Sequence, residues 1–369
     1  MYIDKIEMYH LSIPLKESFQ TSNEVKDHIE HIIIKVFSKN SIGYGECTCN
    51  QTPYYIDETT ETAWHILKKF IIPYIKGIEI NRIEDLLNNN KFKAIKGNNF
   101  AKAGIELAIW DLLAKKNNKS LSNMLGGKKE YIETGVSIGI QKDESELIDK
   151  VENCIKKGYK RIKLKIKPGH DYKYLKLLRN KYPNLPLMAD ANSAYTLSDI
   201  KLFKQLDDLN LLMIEQPLDY DDIIDHAKLQ KQINTPICLD ESIHSINDAR
   251  KAIEFDSCKV INIKVGRVGG LYESLKIHNY CLKKGIPVWC GGMHEYGIGR
   301  AHNIAINSLE NFAFPGDISA SEKYYKKDII NPSIKVKNGY IKVPTNAGIG
   351  VNPDMNEIER YTIKKSVFK

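Results

Sequence analysis

Five ionisable residues recur at nearly constant spacing through the middle of the chain, each closing a short apolar run. They are Lys165 in RIKLKI, Asp190 in LPLMADA, Glu215 in LLMIEQP, Asp240 in PICLDE and Lys264 in VINIKVG, at intervals of 25, 25, 25 and 24 residues. Three carboxylates flanked by a lysine on either side are the parts of a metal site with two bases. Carboxylate oxygens suit a hard divalent cation such as Mg²⁺, and the lack of His or Cys at those positions disfavours zinc and copper. A second lysine, Lys163, precedes Lys165 by two residues, so on a strand both point to one face while Ile162, Leu164 and Ile166 take the other. Crowding these ammonium groups near a cation is expected to lower their pKa towards that of a usable base. The chemistry this suits is abstraction of a proton next to a carboxylate. The cation binds the carboxylate and stabilises the enediolate, one lysine removes the proton, and Lys264 approaches from the opposite side.

Such residues need a scaffold that delivers one of them every 24–25 positions. That period is about one strand, one helix and two short loops, the repeat of a (β/α) barrel whose chemistry sits at the carboxyl ends of its strands. The alternation predicts strands in YIETGVSIGI, RIKLKI, LPLMADA, LLMIEQP, PICLDE, VINIKVG and PVWCGGM, with helices between them and an eighth strand or remnant in NFAFPGDI. No G-x-G-x-x-G follows the first strand, which argues against a dinucleotide fold. Arg267 and the glycines of KVGRVGG could hold or space Lys264, and Gly291-Gly292-Met293 ends the seventh strand with small residues that leave room for a ligand. His170, His294 and His302 have no spaced partner and are read as structural.

Ahead of the barrel, residues 1–47 read as a three-stranded meander, with a polar loop LKESFQTSNEVKD carrying Phe19 and a second loop CNQTPYYID carrying Tyr54 and Tyr55. Both loops are either surface connections or covers that close over a ligand. Helical patterns follow from about Glu58 to Met124, including an amphipathic FAKAGIELAIWDLLAKK, with Trp64 and Trp110 read as core. Near the end, IKVKNGYIKVP predicts a hairpin turning at Asn338-Gly339, and the charged C-terminal piece is expected to return to the first domain. The expected division is an α+β capping domain over 1–128, the barrel over 129–325 and a returning segment over 326–369.

The net charge of +8 is dispersed, without the clustered stripe or module of a nucleic-acid binder. No apolar run is long enough to span a membrane, and the N-terminus lacks a signal peptide's apolar segment. Seven cysteines without framework spacing suit reduced thiols, and the C-x-C of Cys47 and Cys49 lacks a second pair for zinc, so a cytoplasmic protein is expected.

The segments IKGNNFAKAGIELAIWDL, GYKRIKLKIKPG, MADANSAYTL, MIEQPL, CLDESI, INIKVGRVGG and FPGDISAS resemble the enolase superfamily. Within it they are most similar to the o-succinylbenzoate synthase / N-succinylamino acid racemase family of the muconate-lactonizing subgroup. Lys or His bases with Mg²⁺ at an enediolate are a known pattern of that superfamily. The resemblance implies an enolase-like fold, a modified TIM-type (β/α)7β barrel with an α+β cap. It implies Mg²⁺, with Mn²⁺ as a substitute, on Asp190, Glu215 and Asp240. Lys165 would be the base, Lys163 its modulating neighbour, and Lys264 the opposing lysine that becomes a second base in racemisation. Arg267 matches an arginine typical of members that racemise N-succinylamino acids. Ser137, Asn192, Gly292 and Met293 match pocket positions, and Phe19 and Tyr55 match capping loops over them. The implied activity is a lyase step of menaquinone biosynthesis, dehydration of 2-succinyl-6-hydroxy-2,4-cyclohexadiene-1-carboxylate, or an isomerase activity as an N-acylamino acid racemase. A small anionic carboxylate substrate and a homo-oligomer are implied too. Three stretches depart from the common pattern: Thr21-Ser22-Asn23-Glu24, Cys47-Thr48-Cys49-Asn50 and His294-Glu295-Tyr296.

Overall fold

A computed structural model describes residues 1–22 and 24–369 of the chain. It opens with long antiparallel strands, β1 (Lys5–Gln20), β2 (Val25–Ser38) and β3 (Ser41–Cys47). The expected polar loop between the first two is largely strand: Phe19 pairs with Lys26 and Gln20 with Val25, beyond an irregularity after Pro14. Proline lacks the amide proton a ladder needs, so the slip falls there and the ladder resumes further out. Asn23, part of one departure from the family pattern, lies outside the described residues.

The helix Asn99–Lys116 lies on this sheet at backbone contact distance. Glycines make that approach feasible, since a Cβ on Gly45 would stand 2.1 Å from the Gly104 carbonyl and one on Gly43 only 2.0 Å from that of Ala108. The pattern that reads as amphipathic is in fact buried on every side from Ala103 to Ala114, Glu106 and Asp111 included. The sheet covers one face and the barrel the other, so the polar positions of its sequence are internal hydrogen-bond acceptors rather than a wet face. Trp64 and Trp110 are core, as expected.

The barrel follows. After the short β4 (Tyr131–Glu133) come β5 (Val136–Ile138), β6 (Ile162–Lys165), β7 (Leu187–Asp190), β8 (Ile214–Glu215), β9 (Ile237–Leu239), β10 (Val260–Ile263) and β11 (Val288–Cys290). Strands β5 to β11 form one parallel sheet in sequence order. Isolated parallel bridges join Phe312 to Val288 and Gly316 to Thr134, so the segment read as an eighth strand touches both edges and closes the ring as a remnant. The YIETGVSIGI run is split rather than one strand. Only its second half enters the barrel, while β4 pairs with a strand of the C-terminal tail, Tyr340–Lys342. The lumen beneath the strand ends is plugged by Met188, Met213, Cys238, Val260 and Trp289.

The tail adds β12 (Ile330–Asn331), β13 (Tyr340–Lys342), β14 (Asn352–Pro353) and β15 (Thr362–Phe368). The expected hairpin at Asn338-Gly339 is only a turn: β13 pairs antiparallel with β4, not with the residues before the turn, which keep one bridge from Lys337 to Tyr340. Strand β15 pairs antiparallel with β1 and makes the first sheet four-stranded. Its exposed Lys364 and Lys365 blunt the free edge it presents.

Buried carboxylates tie these layers by capping helices across them. Glu46 on β3 accepts the amides of Tyr296 (2.8 Å) and Gly299 (2.7 Å) at the start of helix Gly297–Asn307. Glu106 accepts those of Leu271 (2.9 Å) and Tyr272 (2.8 Å) at the start of helix Leu271–Lys284. Glu58 does the same for Phe100 and Ala101. Each fills orphan helix donors with its carboxyl oxygens, which fixes the cap above the barrel. His302 bonds the carbonyls of Ile298 and Leu107, the structural role expected of it. Among the described residues, no helix is long and apolar enough to cross a membrane.

Candidate active site

The 24–25-residue period has a simple geometric result. Lys165, Asp190 and Glu215 are the last residues of β6, β7 and β8, and Asp240 and Lys264 directly follow β9 and β10. Lys165 is in register with Asp190, and Asp190 with Glu215, so the heads meet at one rim of the barrel. Above them is a cleft between the barrel and the first sheet. Ser137, Lys163, Lys165, Asn192, Lys264, Gly292, Met293, Phe19 and Tyr55 all line it. Asp190, Glu215, Asp240 and Arg267 stand fully buried behind the lysines.

Lys163 is held by three carboxylates: Asp190 at 2.9 Å, Glu215 at 3.0 Å and Asp317 at 2.7 Å. Burial alone would depress its pKa, but those three charges outweigh it and hold the ammonium above the ordinary amine range. Lys264 behaves likewise, with Tyr55, Glu241 and Glu215 overriding its desolvation. For Lys163 the expected depression is therefore corrected: it lies deeper in negative charge than among other cations. Lys165 makes fewer contacts, to Asp190 Oδ2 at 2.7 Å and to Asn192 Oδ1.

Asn192 is placed by a left-handed backbone (φ 43°), a conformation asparagine adopts readily. That turn aims its amide both ways, Oδ1 to Lys165 and Nδ2 to Glu241 Oε1 at 2.8 Å. On the far side, the Tyr55 hydroxyl accepts from Lys264 (3.0 Å) and Arg267 (3.0 Å) and donates to Asp240 Oδ1 at 3.3 Å. Lys264 also lies over the Tyr55 ring, 4.3 Å from its centre, and 2.8 Å from Asp240 Oδ2 without hydrogen-bond alignment. Arg267 holds the carbonyls of Ile243 (2.8 Å) and Asn262 (2.6 Å) and pairs with Asp240. It braces Lys264 and Asp240 from behind, matching the holding role read from KVGRVGG, and has no face on the cleft.

Several members were missed in the sequence. Asp317 bonds Ser137 at 3.0 Å and Arg161 at 2.6 Å, and with Lys163 forms a buried network. Asn262 donates to Glu215 Oε1 at 2.7 Å. Glu241 faces the cleft beside Asp240. The acid after an apolar run in FPGD and the paired acids of LDE were usable signals. Lys26 and His294 also line the cleft, the His294 ring standing between Phe19 and Tyr324.

The carboxylates fit a hard cation by chemistry, all oxygen and fully buried. Burial and the nearby Asp190 push the Glu215 carboxyl up, and burial does the same for Glu241, whose Oε2 has no partner. Clustered acids that resist ionisation gain most from a divalent charge. As they stand, among the described residues, no three His, Cys, Asp or Glu side chains are gathered round one point, since ammonium and guanidinium groups fill the space between them.

Comparison with known proteins agrees with this layout. Residues 5–126 match the mandelate racemase / muconate lactonizing enzyme N-terminal domain, and 146–358 match the enolase C-terminal domain-like family. An o-succinylbenzoate synthase of Geobacillus kaustophilus is 49% identical over 367 residues, 99% of this chain and 97% of that protein. An N-succinylamino acid racemase of Thermus thermophilus is 42% identical, covering 98% of both chains. The crystal structure of an enolase superfamily member from Listeria innocua superposes with a TM-score of 0.96 at 43% identity, covering 100% of this chain and 99% of that one. Members of that superfamily generally use Mg²⁺. The chain belongs to the enolase superfamily, in the mandelate racemase / muconate lactonizing enzyme group that contains the o-succinylbenzoate synthases and N-succinylamino acid racemases.

Proposed function

We propose that the protein is an Mg²⁺-dependent o-succinylbenzoate synthase that dehydrates 2-succinyl-6-hydroxy-2,4-cyclohexadiene-1-carboxylate. The observation that carries this is that Lys163, Lys165 and Lys264 line one cleft with three strand-end carboxylates buried directly behind them. Relatives of 41–49% identity over nearly the whole chain that are o-succinylbenzoate synthases support it. Asp190, Glu215 and Asp240 would hold Mg²⁺, which supplies Lewis-acid stabilisation of charge gathering on the substrate carboxylate. Lys165, which meets one carboxylate against three for Lys163, removes the proton next to that carboxylate and returns it to the departing hydroxyl, which leaves as water. Asn192 orients its amine, while Lys163, locked among three acids, keeps its charge and sets the local field. Lys264, on Tyr55 and braced by Arg267, faces the substrate from the other side and offsets the developing negative charge. Ser137, Gly292, Met293, Phe19 and Tyr55 shape the pocket, and the cap excludes water from the reacting atoms.

The match of residues 5–126 to an N-terminal domain supports a cap over 1–128, and the pairing of β15 with β1 supports a segment over 326–369 that returns to it, with the barrel over 129–325 between them. Seven cysteines, none in a disulfide, support a cytoplasmic setting. A second reading, racemisation of N-succinylamino acids, is favoured by one feature: lysines stand on both sides of the cleft, as two-base proton exchange needs. Loss of cyclohexadiene absorbance by purified protein tests the first reading, with Mg²⁺ and then with chelator. Turnover abolished by chelator is expected. No turnover, with α-proton exchange of N-succinylphenylalanine in D₂O, would replace the synthase with the racemase.

A further inference from the structure

The two activities named for relatives share a succinyl chain, which ends in a carboxylate far from the reacting centre. The cationic groups at the barrel rim are already committed. Lys163 has three carboxylates, Lys165 has Asp190 and Asn192, and Lys264 has Asp240 and Tyr55. Arg300 also lines the cleft, but its two terminal nitrogens go to the carbonyls of Ser319 and Glu295. Lys26 is different. It projects from β2 into the roof of the cleft, 7% exposed, and meets Glu24 at 3.0 Å and Asn50 Oδ1 at 2.7 Å, leaving a third N–H without a partner among the described residues. Glu24 is itself shared, accepting from Thr52 at 2.6 Å on its other oxygen.

Beside it, His294 sits at φ 62° with its carbonyl clamped by the Tyr325 hydroxyl and its ring edge-on between Phe19 (4.8 Å) and Tyr324 (5.0 Å). The residue lines the cleft, and its ring is held by these aromatic contacts rather than by a hydrogen bond to a described residue. Burial, reinforced by Lys26 and Lys323, keeps the imidazole neutral, so one of its nitrogens is an N–H donor. A buried ammonium with a spare donor, next to a neutral donor held by strained backbone and two aromatic rings, is a preformed carboxylate receptor.

We propose that Lys26 and His294 form a second anion subsite in the cap that receives the far carboxylate of the succinyl chain. The subsite rests on the proposed function above and assigns the residues that distinguish a succinyl from an uncharged acyl group. Glu24 is the resident competitor, holding Lys26 until substrate replaces part of its contact.

The test measures binding of o-succinylbenzoate and of 2-butyrylbenzoate, which keeps the ring carboxylate and ketone but lacks the far carboxylate, to the Mg²⁺-loaded protein by calorimetry. Wild type should prefer o-succinylbenzoate. Lys26→Met should weaken it about 10- to 100-fold, the worth of one charge-assisted hydrogen bond, and leave 2-butyrylbenzoate within about twofold. His294→Asn, which keeps the left-handed backbone, should weaken it about 5- to 10-fold with the same selectivity. Glu24→Gln should tighten o-succinylbenzoate alone. Equal losses for both compounds in Lys26→Met would overturn the subsite and leave the proposed function standing. Wild type binding neither compound would overturn the proposed function, and the subsite with it.

Discussion

Glu58 and Glu106 make a prediction that can be worked through in numbers. Both are buried, each caps the start of a helix, and burial pushes both carboxyls from 4.5 up to about 7. A folded pKa above the unfolded one means the native state holds its proton longer. The stability these groups contribute is therefore complete below pH 4.5 and is lost as pH rises through about 7. The slope is about −1.4 kcal/mol per pH unit per group inside that window, and the whole change is about 3 kcal/mol for each. Carboxylates shifted the other way, such as Glu7 and Asp222, both lowered to about 2, titrate below the window and do not mask it. The experiment compares urea unfolding of wild type with Glu58→Gln/Glu106→Gln between pH 5 and 7.5. Glutamine keeps one acceptor for the helix amides but cannot ionise. The wild-type midpoint should fall with pH more steeply than that of the double variant, and the protection of the Leu271 and Tyr272 amides, corrected for the intrinsic pH dependence of exchange, should fall with pH only in wild type. Parallel pH dependences would refute the argument that desolvation governs these caps.

Three further outcomes follow from the same structure. Lys163→Ala leaves Asp190, Glu215 and Asp317 buried without their shared cation and should destabilise the metal-free protein by about 3–5 kcal/mol, part of it restored by Mg²⁺ in thermal melts. An unchanged melt would show that the acids do not depend on that lysine. Gly45→Ala drives a Cβ onto the Gly104 carbonyl and should cost about 1–3 kcal/mol in denaturant unfolding, against no change if the sheet and helix can separate freely. Tyr55→Phe removes the hydroxyl shared by Lys264, Arg267 and Asp240 and should lower kcat/KM about tenfold, more for racemisation than for dehydration. Equal losses in the two assays would deny Lys264 a separate role as a base.

The rim of the site was legible because a barrel writes it into the sequence as a period. Lys165, Asp190, Glu215, Asp240 and Lys264 each follow an apolar strand, and parallel pairing does the rest. What supports them was not legible in the same way. Arg161 and Asp317 are 156 residues apart and Asn192 and Glu241 are 49 apart, and no local pattern announces such contacts. Asp317 carried a faint version of the signal, one acid after an apolar run, but its strand survives only as single bridges. Lys26 sat in what reads as a polar loop, because the irregularity after Pro14 hides the resumed pairing of Phe19 with Lys26. The long helix misled for a different reason. Its polar residues suggest a wet face, yet Glu106 and Asp111 are spent inside on the amides of neighbouring elements. The last strand escaped notice because an edge strand carries lysines where a central strand would carry valine or isoleucine.

The most direct test of the central claim is single-turnover dehydration by Lys165→Ala, with Mg²⁺ affinity and unfolding measured on the same preparation. With folding and Mg²⁺ binding retained, the rate should fall by about 10²- to 10⁴-fold, the contribution of a positioned general base. A rate within tenfold of wild type would contradict the assignment of Lys165 and with it the proposed reading of the cleft.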